Sequence, residues 1–297
     1  MTWQFVVAGL AVGVLVGMTG MGGGSLMTPM LILIFGFDPK TAVGTDIVHG
    51  AIVKSFGAVR HRQLGNVNTR LALWMLAGSG PMSLVGVQLA SSFSDSAAGT
   101  MSKIVGVSLI AGGLGFLVKT FVRRDPVEGE FVITTRVKVL AILIGATFGF
   151  VVGLTSVGSG TFFGLAMLLL FPLTATRMVG TDLLHAALLL WIAGAGHIVH
   201  GNVDFHAISY LLIGSIPGVL IGANLSIKVP EHALRVGFAF ILVLSGIKLV
   251  SFPYATTIIE VGVATGALML VVWIGVQVAR LRRRRQFEQQ LPASDPA

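Results

Sequence analysis

Apolar residues occupy this chain in long blocks broken by short polar segments. Ile104 to Val122, Ala207 to Ile227 and Ile258 to Val278 each reach the ~20 residues that a membrane-spanning helix needs. Two longer apolar segments, 4–36 and 138–171, are each interrupted by a cluster of glycine and hydroxyl residues. Around them the pattern predicts helices over 41–60, 70–91, 100–122, 175–199, 206–227, 232–251 and 256–279. The tail from Arg280 is basic, then polar and Pro-containing, a composition that does not build a packed core. The expected fold class is all-α and polytopic.

The blocks repeat. Gly17 to Ser25 resembles Gly153 to Thr161, 136 positions later. Without a gap, the same offset pairs Gly44-Thr45-Asp46 with Gly180-Thr181-Asp182, His49 with His185, and His61 with His197. It also pairs Gly65-Asn66-Val67 with Gly201-Asn202-Val203, Pro81 with Pro217, and Gly86 with Gly222. The chain reads as a duplication. Residues 1–122 are the first transmembrane repeat, 123–137 a cytoplasmic connecting loop and 138–251 the second repeat. Residues 252–279 form an extra transmembrane helix and 280–297 a basic cytoplasmic tail.

Loop charge predicts how the copies face. Arg60, Arg62 and Arg70 bound the loop after the second predicted helix of the first copy, and the matching loop from Gly196 to His206 has no Lys or Arg. Copies facing the same way should not differ like this. If each interrupted segment is a re-entrant hairpin, a repeat crosses the membrane three times and the copies are inverted. The Arg280 to Arg285 tail then shares the cytoplasmic side with Arg60, Arg62, Arg70, Lys119, Arg123, Arg124, Arg136, Lys138, Arg177, Lys228 and Arg235. Only Lys40, Lys103 and Lys248 fall outside. The expectation is two inverted repeats, each a Gly-broken re-entrant hairpin plus three transmembrane helices, with the N-terminus outside.

Composition narrows the function classes. The 297 residues are 54% hydrophobic and 11% charged, against about 25% charged in soluble domains. The absence of cysteine excludes thiol catalysis, disulfides and iron–sulfur clusters. A net charge of +8 would suit nucleic acid, but the basic residues sit in short segments between apolar runs, as orientation signals do. No removable signal peptide is expected, since the N-terminus lacks a basic n-region. No cofactor is implied. The expected partners are the lipid bilayer, a small anionic substrate and protons as the candidate coupling ion, with a homo-oligomer as one assembly; no nucleic acid is expected.

The glycine-rich breaks carry the sharpest chemistry. A helix does not continue easily through Gly22, Gly23 and Gly24, and non-helical backbone at membrane depth must be buried in protein or line a cavity. A break leaves the N-terminus of a half-helix from about Ser25, whose N–H groups and dipole suit an anion. Ser25, Ser156, Ser159 and Thr161 add hydroxyl donors, beside Gly158 and Gly160. Close helix packing is the bland alternative. Neither stretch fits a nucleotide-binding loop.

Asp46 with His49 and Asp182 with His185 form a second constellation, each pair on one helix face. Intramembrane carboxylates are expensive and face a cavity or partner. One role is proton relay; the other is structural, with each Asp bonding N–H groups of a broken segment. Lys54, in the middle of a predicted helix, is matched by Leu190 in the second copy. It could serve the substrate as a counter-charge, pair with Asp46, or snorkel. His61 and His197 lie near helix ends and read as solvated or interfacial.

Gly17-x-x-Gly20-x-Gly22-Gly23-Gly24, Pro29 and Ala42-Val43-Gly44-Thr45-Asp46 resemble the opening of the sulfite exporter TauE/SafE-like family, also called the toluene sulfonate uptake permease family. Gly153 to Thr161 with Val179-Gly180-Thr181-Asp182 resembles its second half, and the similarity covers roughly residues 5–251. The resemblance implies a bacterial inner-membrane transporter of sulfite or organosulfonates such as sulfoacetate and sulfolactate, usually an exporter. Under it the Gly-rich segments, with Thr45 and Thr181, become candidate substrate contacts. Ser156 and Ser159 stand where the first copy has Gly20 and Gly23, so the site need not be symmetric. The competing readings are an uptake permease for sulfur compounds and a divalent-metal transporter using the Asp/His pairs. An intramembrane enzyme is disfavoured, because a catalytic Ser would not need a matched partner.

Overall fold

The computed structural model describes residues 2–19, 24–122, 131–225, 231–262 and 264–266. Gly22 and Gly23, most of the connecting loop and the basic tail lie outside the described residues. The chain forms two compact units, Met1–Ser251 and Phe252–Ala297. In the second, an apolar helix occupies Ala255–Gly266.

Among its described residues the first unit is built of helices joined by short turns and loops. Its helices are α1 (Thr2–Thr19), α2 (Gly24–Leu33), α3 (Pro39–Gln63), α4 (Thr69–Ser92) and α5 (Ala98–Phe121). They are followed by α6 (Thr135–Thr155), α7 (Phe162–Leu170), α8 (Ala175–Val199), α9 (Phe205–Leu225) and α10 (Glu231–Leu249). The 136-residue offset carries the ends of α3 onto those of α8. Local chemistry fixes these ends. The Asp38 carboxylate caps α3 by accepting from the N–H groups of Lys40 and Thr41, with Pro39 opening the helix. Thr174 caps α8 through the N–H of Arg177. Both helices stop at a glycine of positive φ, Gly65 and Gly201, each at 72°.

Helices pack across the two copies more than within them. α1 lies along α9, α6 along α4, α3 along α8, and α5 along α10. Small residues permit these approaches. A Cβ at Gly9 or Gly13 would collide with the backbone of Leu211 or Ser215; one at Gly145 or Gly149 would strike Met75 or Ser79. The rising numbers on both sides make α1 parallel to α9 and α6 parallel to α4. On α3, Gly50 faces Leu190 while Gly57 faces Leu183, so α3 and α8 run antiparallel. Gly106 against Gly246 and Gly113 against Ala239 make α5 and α10 antiparallel too.

The two short helices return beside the long ones that precede them. Phe5 at the start of α1 stacks on Phe35 after α2, with ring centroids 4.5 Å apart. Phe131 before α6 meets Phe171 after α7 at 6.2 Å. Five helices among the described residues are long and apolar enough to cross a bilayer. Large apolar side chains such as Ile34, Leu143, Phe121 and Leu220 face outward, an arrangement that suits lipid as solvent. The chain is a multi-pass helical membrane protein.

Candidate functional site

The second break is described in full. α6 ends at Thr155 and Ser156 follows in the left-handed region at φ 61°. A serine there is held against its own preference, and its hydroxyl donates to Asp46 Oδ2 at 2.9 Å. Gly158 has φ +113°, and a Cβ on it would collide with the Phe162 ring. Gly160 donates its N–H to the Gly158 carbonyl at 2.7 Å before α7 begins. Ser156, Ser159 and Thr161 are buried. The Thr161 hydroxyl has no hydrogen-bond partner and lies 3.6 Å from the Cβ position of Gly112 in α5.

Lys54 reaches this break from the middle of α3. It is 2% exposed, and its ammonium donates to the Ser159 carbonyl and, at 2.8 Å, to the Ser159 hydroxyl. A lysine in a bilayer interior costs about 3 kcal/mol on insertion scales, so such partners are what keep it there. A narrow pocket beside it is lined by Val12, Val16, His49, Val53 and Ser215. Of the first break, α2 resumes at Gly24 and Ser25 is buried in its first turn.

Asp46 ties the two halves together. Its Oδ2 accepts from the Thr28 N–H at 3.2 Å, the Thr28 hydroxyl at 2.5 Å and the Ser156 hydroxyl. One carboxylate oxygen thus joins α3 to its own short helix and to the far break. Asp182 stands at the matching place in α8, but the residues matching Thr28 and Ser156 are Gly164 and Gly20. Lys119 of α5 takes the vacated space: a Cβ on Gly164 would lie 2.8 Å from Lys119 Nζ and 3.8 Å from Asp182 Oδ2. Each Asp keeps its Oδ1 buried without a hydrogen-bond partner.

The other predicted residues bond neighbouring helices and turns. His49 Nε2 meets the Ser215 hydroxyl at 2.9 Å, and His185 Nε2 meets Ser79 at 2.8 Å. Each histidine therefore links its helix to the other copy. Thr45 accepts from the Asp204 N–H and Thr181 from the Asn68 N–H, both at 2.9 Å, fixing the turns that lead into α9 and α4. His197 differs from the solvated reading. It is fully buried and bonds the Gly153 carbonyl at 2.9 Å, because α6 and α3 cover the last turn of α8. Thr28, Ser79, Ser215 and Lys119 were not singled out by sequence. The 136-residue register would have flagged Ser79 and Ser215, whereas Lys119 looks like one more basic residue at a helix exit. Among the described residues, no three Asp, Glu or His side chains gather as metal ligands.

Residues 5–249 match the family model described as sulfite exporter TauE/SafE. A probable membrane transporter protein, YjnA of Bacillus subtilis, is 38% identical over 255 residues, covering 84% of this chain and all of that protein. YdhB of the same organism, also named a probable membrane transporter, is 24% identical over 75% of this chain and 89% of its own. The probable membrane transporter MJ0441 of Methanocaldococcus jannaschii is 25% identical, covering 82% of this chain and 92% of its own. No solved structure matches. With the match spanning both copies and both breaks, the chain belongs to the sulfite exporter TauE/SafE family.

Proposed function

We propose that the protein is a secondary transporter of small sulfur-containing anions, sulfite or an organosulfonate, working as an exporter in the bacterial inner membrane. The observation that carries this reading is Lys54, a buried ammonium engaged with the tip of the second break. A sulfonate offers three acceptor oxygens and one charge. The Ser159 and Thr161 hydroxyls, the start of α7 and the Lys54 ammonium supply donors of matching kind. The family and the relatives named as membrane transporters support transport over catalysis.

The architecture in this proposal is a pair of inverted repeats whose broken segments are re-entrant hairpins. Its support is directional. Equivalent helices α3 and α8 run antiparallel, as do α5 and α10, and a two-fold axis lying in the membrane plane produces that relation. Tracing these directions puts Arg60, Arg62, Arg70, Arg136, Lys138, Arg177 and Arg235 at one end of the bundle, with Lys40, Lys103 and Lys248 at the other. The first end is the cytoplasmic one under the charge rule.

A divalent-metal carrier is less well supported, because Asp46, His49 and His185 bond Ser and Thr partners, and no three Asp, Glu or His side chains gather among the described residues. The test is a binding panel on the purified full chain with sulfite, thiosulfate, sulfate, sulfoacetate, sulfolactate, taurine and Ni²⁺. Saturable binding of a sulfur anion is expected; binding of Ni²⁺ alone would reject the proposal.

A further inference from the structure

We propose that His49 takes up a proton when the site binds its anion, through a water held in the pocket that His49 shares with Lys54, and that His185, its twin in the second repeat, does not. The inference rests on the anion-transport reading above and adds to it the coupling ion and the residue that carries it. The two histidines make the same bond, His49 to Ser215 and His185 to Ser79. The space beside them differs. His49, Ser215 and Lys54 line a narrow pocket with Val12, Gly50 and Val53. It has room for about one water and offers it three polar side chains. At the offset of 136 the same places hold His185, Ser79, Leu190, Phe148, Ala186 and Leu189. Phe148, Ala186 and Leu189 are larger than their twins, and Leu190 replaces the lysine. Phe163 closes the second place further, with its ring centroid 4.3 Å from that of His185 and 5.7 Å from that of Phe148. His49 is accordingly 5% exposed and His185 0%, and His185 keeps its Nδ1 buried without a partner.

Charge supplies the coupling. In the buried middle of α3 the charged neighbours of His49 are Asp46, one turn before it, and Lys54. α1 and α2 carry no titratable residue, and α9 has only His206, in its first turn. Because Gly50 faces Leu190, α8 brings His185 and Asp182 on one side of the level of His49 and His197 on the other. Lys103 and Lys119 lie toward the ends of α5. Asp46 already has three donors on its Oδ2, which leaves Lys54 as the charge that shares the pocket with His49. An imidazolium beside an ammonium is repelled while the site is empty. An anion on Lys54 offsets that repulsion, so binding draws a proton onto the ring. In that step a solvent proton carried by the pocket water passes to the imidazole: an N–H bond forms, an O–H bond of the hydronium breaks, and the water remains. The Ser215 hydroxyl serves both states, as donor to the neutral ring and acceptor from the charged one. A monoanion and a proton then cross together with no net charge moved.

The test is calorimetric titration of the purified full chain with sulfite and with sulfoacetate at about pH 7, in two buffers of different ionisation enthalpy, which counts the protons taken up per anion bound. The wild type is expected to take up about half a proton or more per anion beyond His49→Gln, whose amide can still bond Ser215 but cannot titrate. His185→Gln is expected to match the wild type. Comparing variants cancels the protonation of the anion itself. For sulfoacetate, wild-type affinity should fall about threefold per pH unit above neutrality, and that of His49→Gln should stay flat. If the wild type binds neither anion, the anion-transport reading fails and this inference with it. If the wild type binds and His49→Gln takes up as many protons, or His185→Gln loses the uptake as well, the proposal alone is overturned. Should His49→Gln not fold, Val53→Leu decides: it fills the pocket with the second repeat's own residue, and uptake equal to the wild type overturns the proposal.

Discussion

Asp46 and Asp182 occupy the same place in the two repeats, yet opposite chemistry satisfies them. Asp46 meets two hydroxyls and a backbone N–H; Asp182 has a glycine where Asp46 has Thr28, with Lys119 beside that glycine. A structural carboxylate wants fixed, neutral donors that stay put. One that works in a cycle wants partners that can accept another anion in its place. The duplication supplied one fold, and three substitutions make the surroundings of the two aspartates unlike: Thr28 against Gly164, Ser156 against Gly20 and Lys54 against Leu190.

The largest expected effect comes from breaking the structural side. Asp46→Ala leaves two buried hydroxyls and an N–H without their acceptor, at about 1–3 kcal/mol each. The variant should lose most of its folded yield, measured as monodisperse protein in detergent. Next, Lys54→Met leaves the buried Ser159 carbonyl and hydroxyl without their donor, at about 1–3 kcal/mol each. Efflux and sulfite binding should both fall roughly a hundredfold or more. Gly44→Ala and Gly180→Ala form a matched control, because their Cβ atoms would strike the carbonyls of Asn202 and Asn66. Both should cost about 1–3 kcal/mol by overpacking, and should cost the same, since the copies are alike there. The smallest effect is expected from Ser79→Ala and Ser215→Ala, about 1 kcal/mol each in thermal unfolding for one lost bond to a histidine. A strong difference between these last two would mean that the asymmetry reaches beyond the aspartates.

The topology has its own check. Leu64 and His200 are equivalent and exposed, and the chain has no native cysteine. Cysteine at position 64 should be labelled from the cytoplasm and at position 200 from outside. Labelling of both from one side would reject the inverted arrangement.

Much of this was legible in the sequence because duplication writes itself in a fixed register. The offset of 136 located both breaks, both Asp/His pairs and the glycines of the helix exits. Helix ends were less legible: the apolar pattern predicts 41–60, whereas the Asp38 cap starts α3 at Pro39 and the helix runs to Gln63. What the sequence could not carry was which side chains meet across the repeats. Thr28 and Ser156 are 128 positions apart in the chain, yet both bond Asp46. Lys119 lies in the last turn of α5 near a basic connection, so composition gives it to the loop, and only packing against α7 buries it. The bonds that the Thr45 and Thr181 hydroxyls accept from the turns before α9 and α4 were equally hidden, because they depend on helix pairing.

The central claim is that the aspartates have divided their labour, and one measurement tests it most directly. Thermal unfolding of Asp46→Asn and Asp182→Asn should be followed with and without sulfite, against sodium chloride of equal ionic strength. Both variants should unfold at lower temperature than the wild type. Sulfite should restore most of the loss in Asp182→Asn, which lacks the fixed hydroxyl donors that hold Asp46, and little of it in Asp46→Asn. Equal rescue of both variants, or rescue of Asp46→Asn alone, would contradict the account.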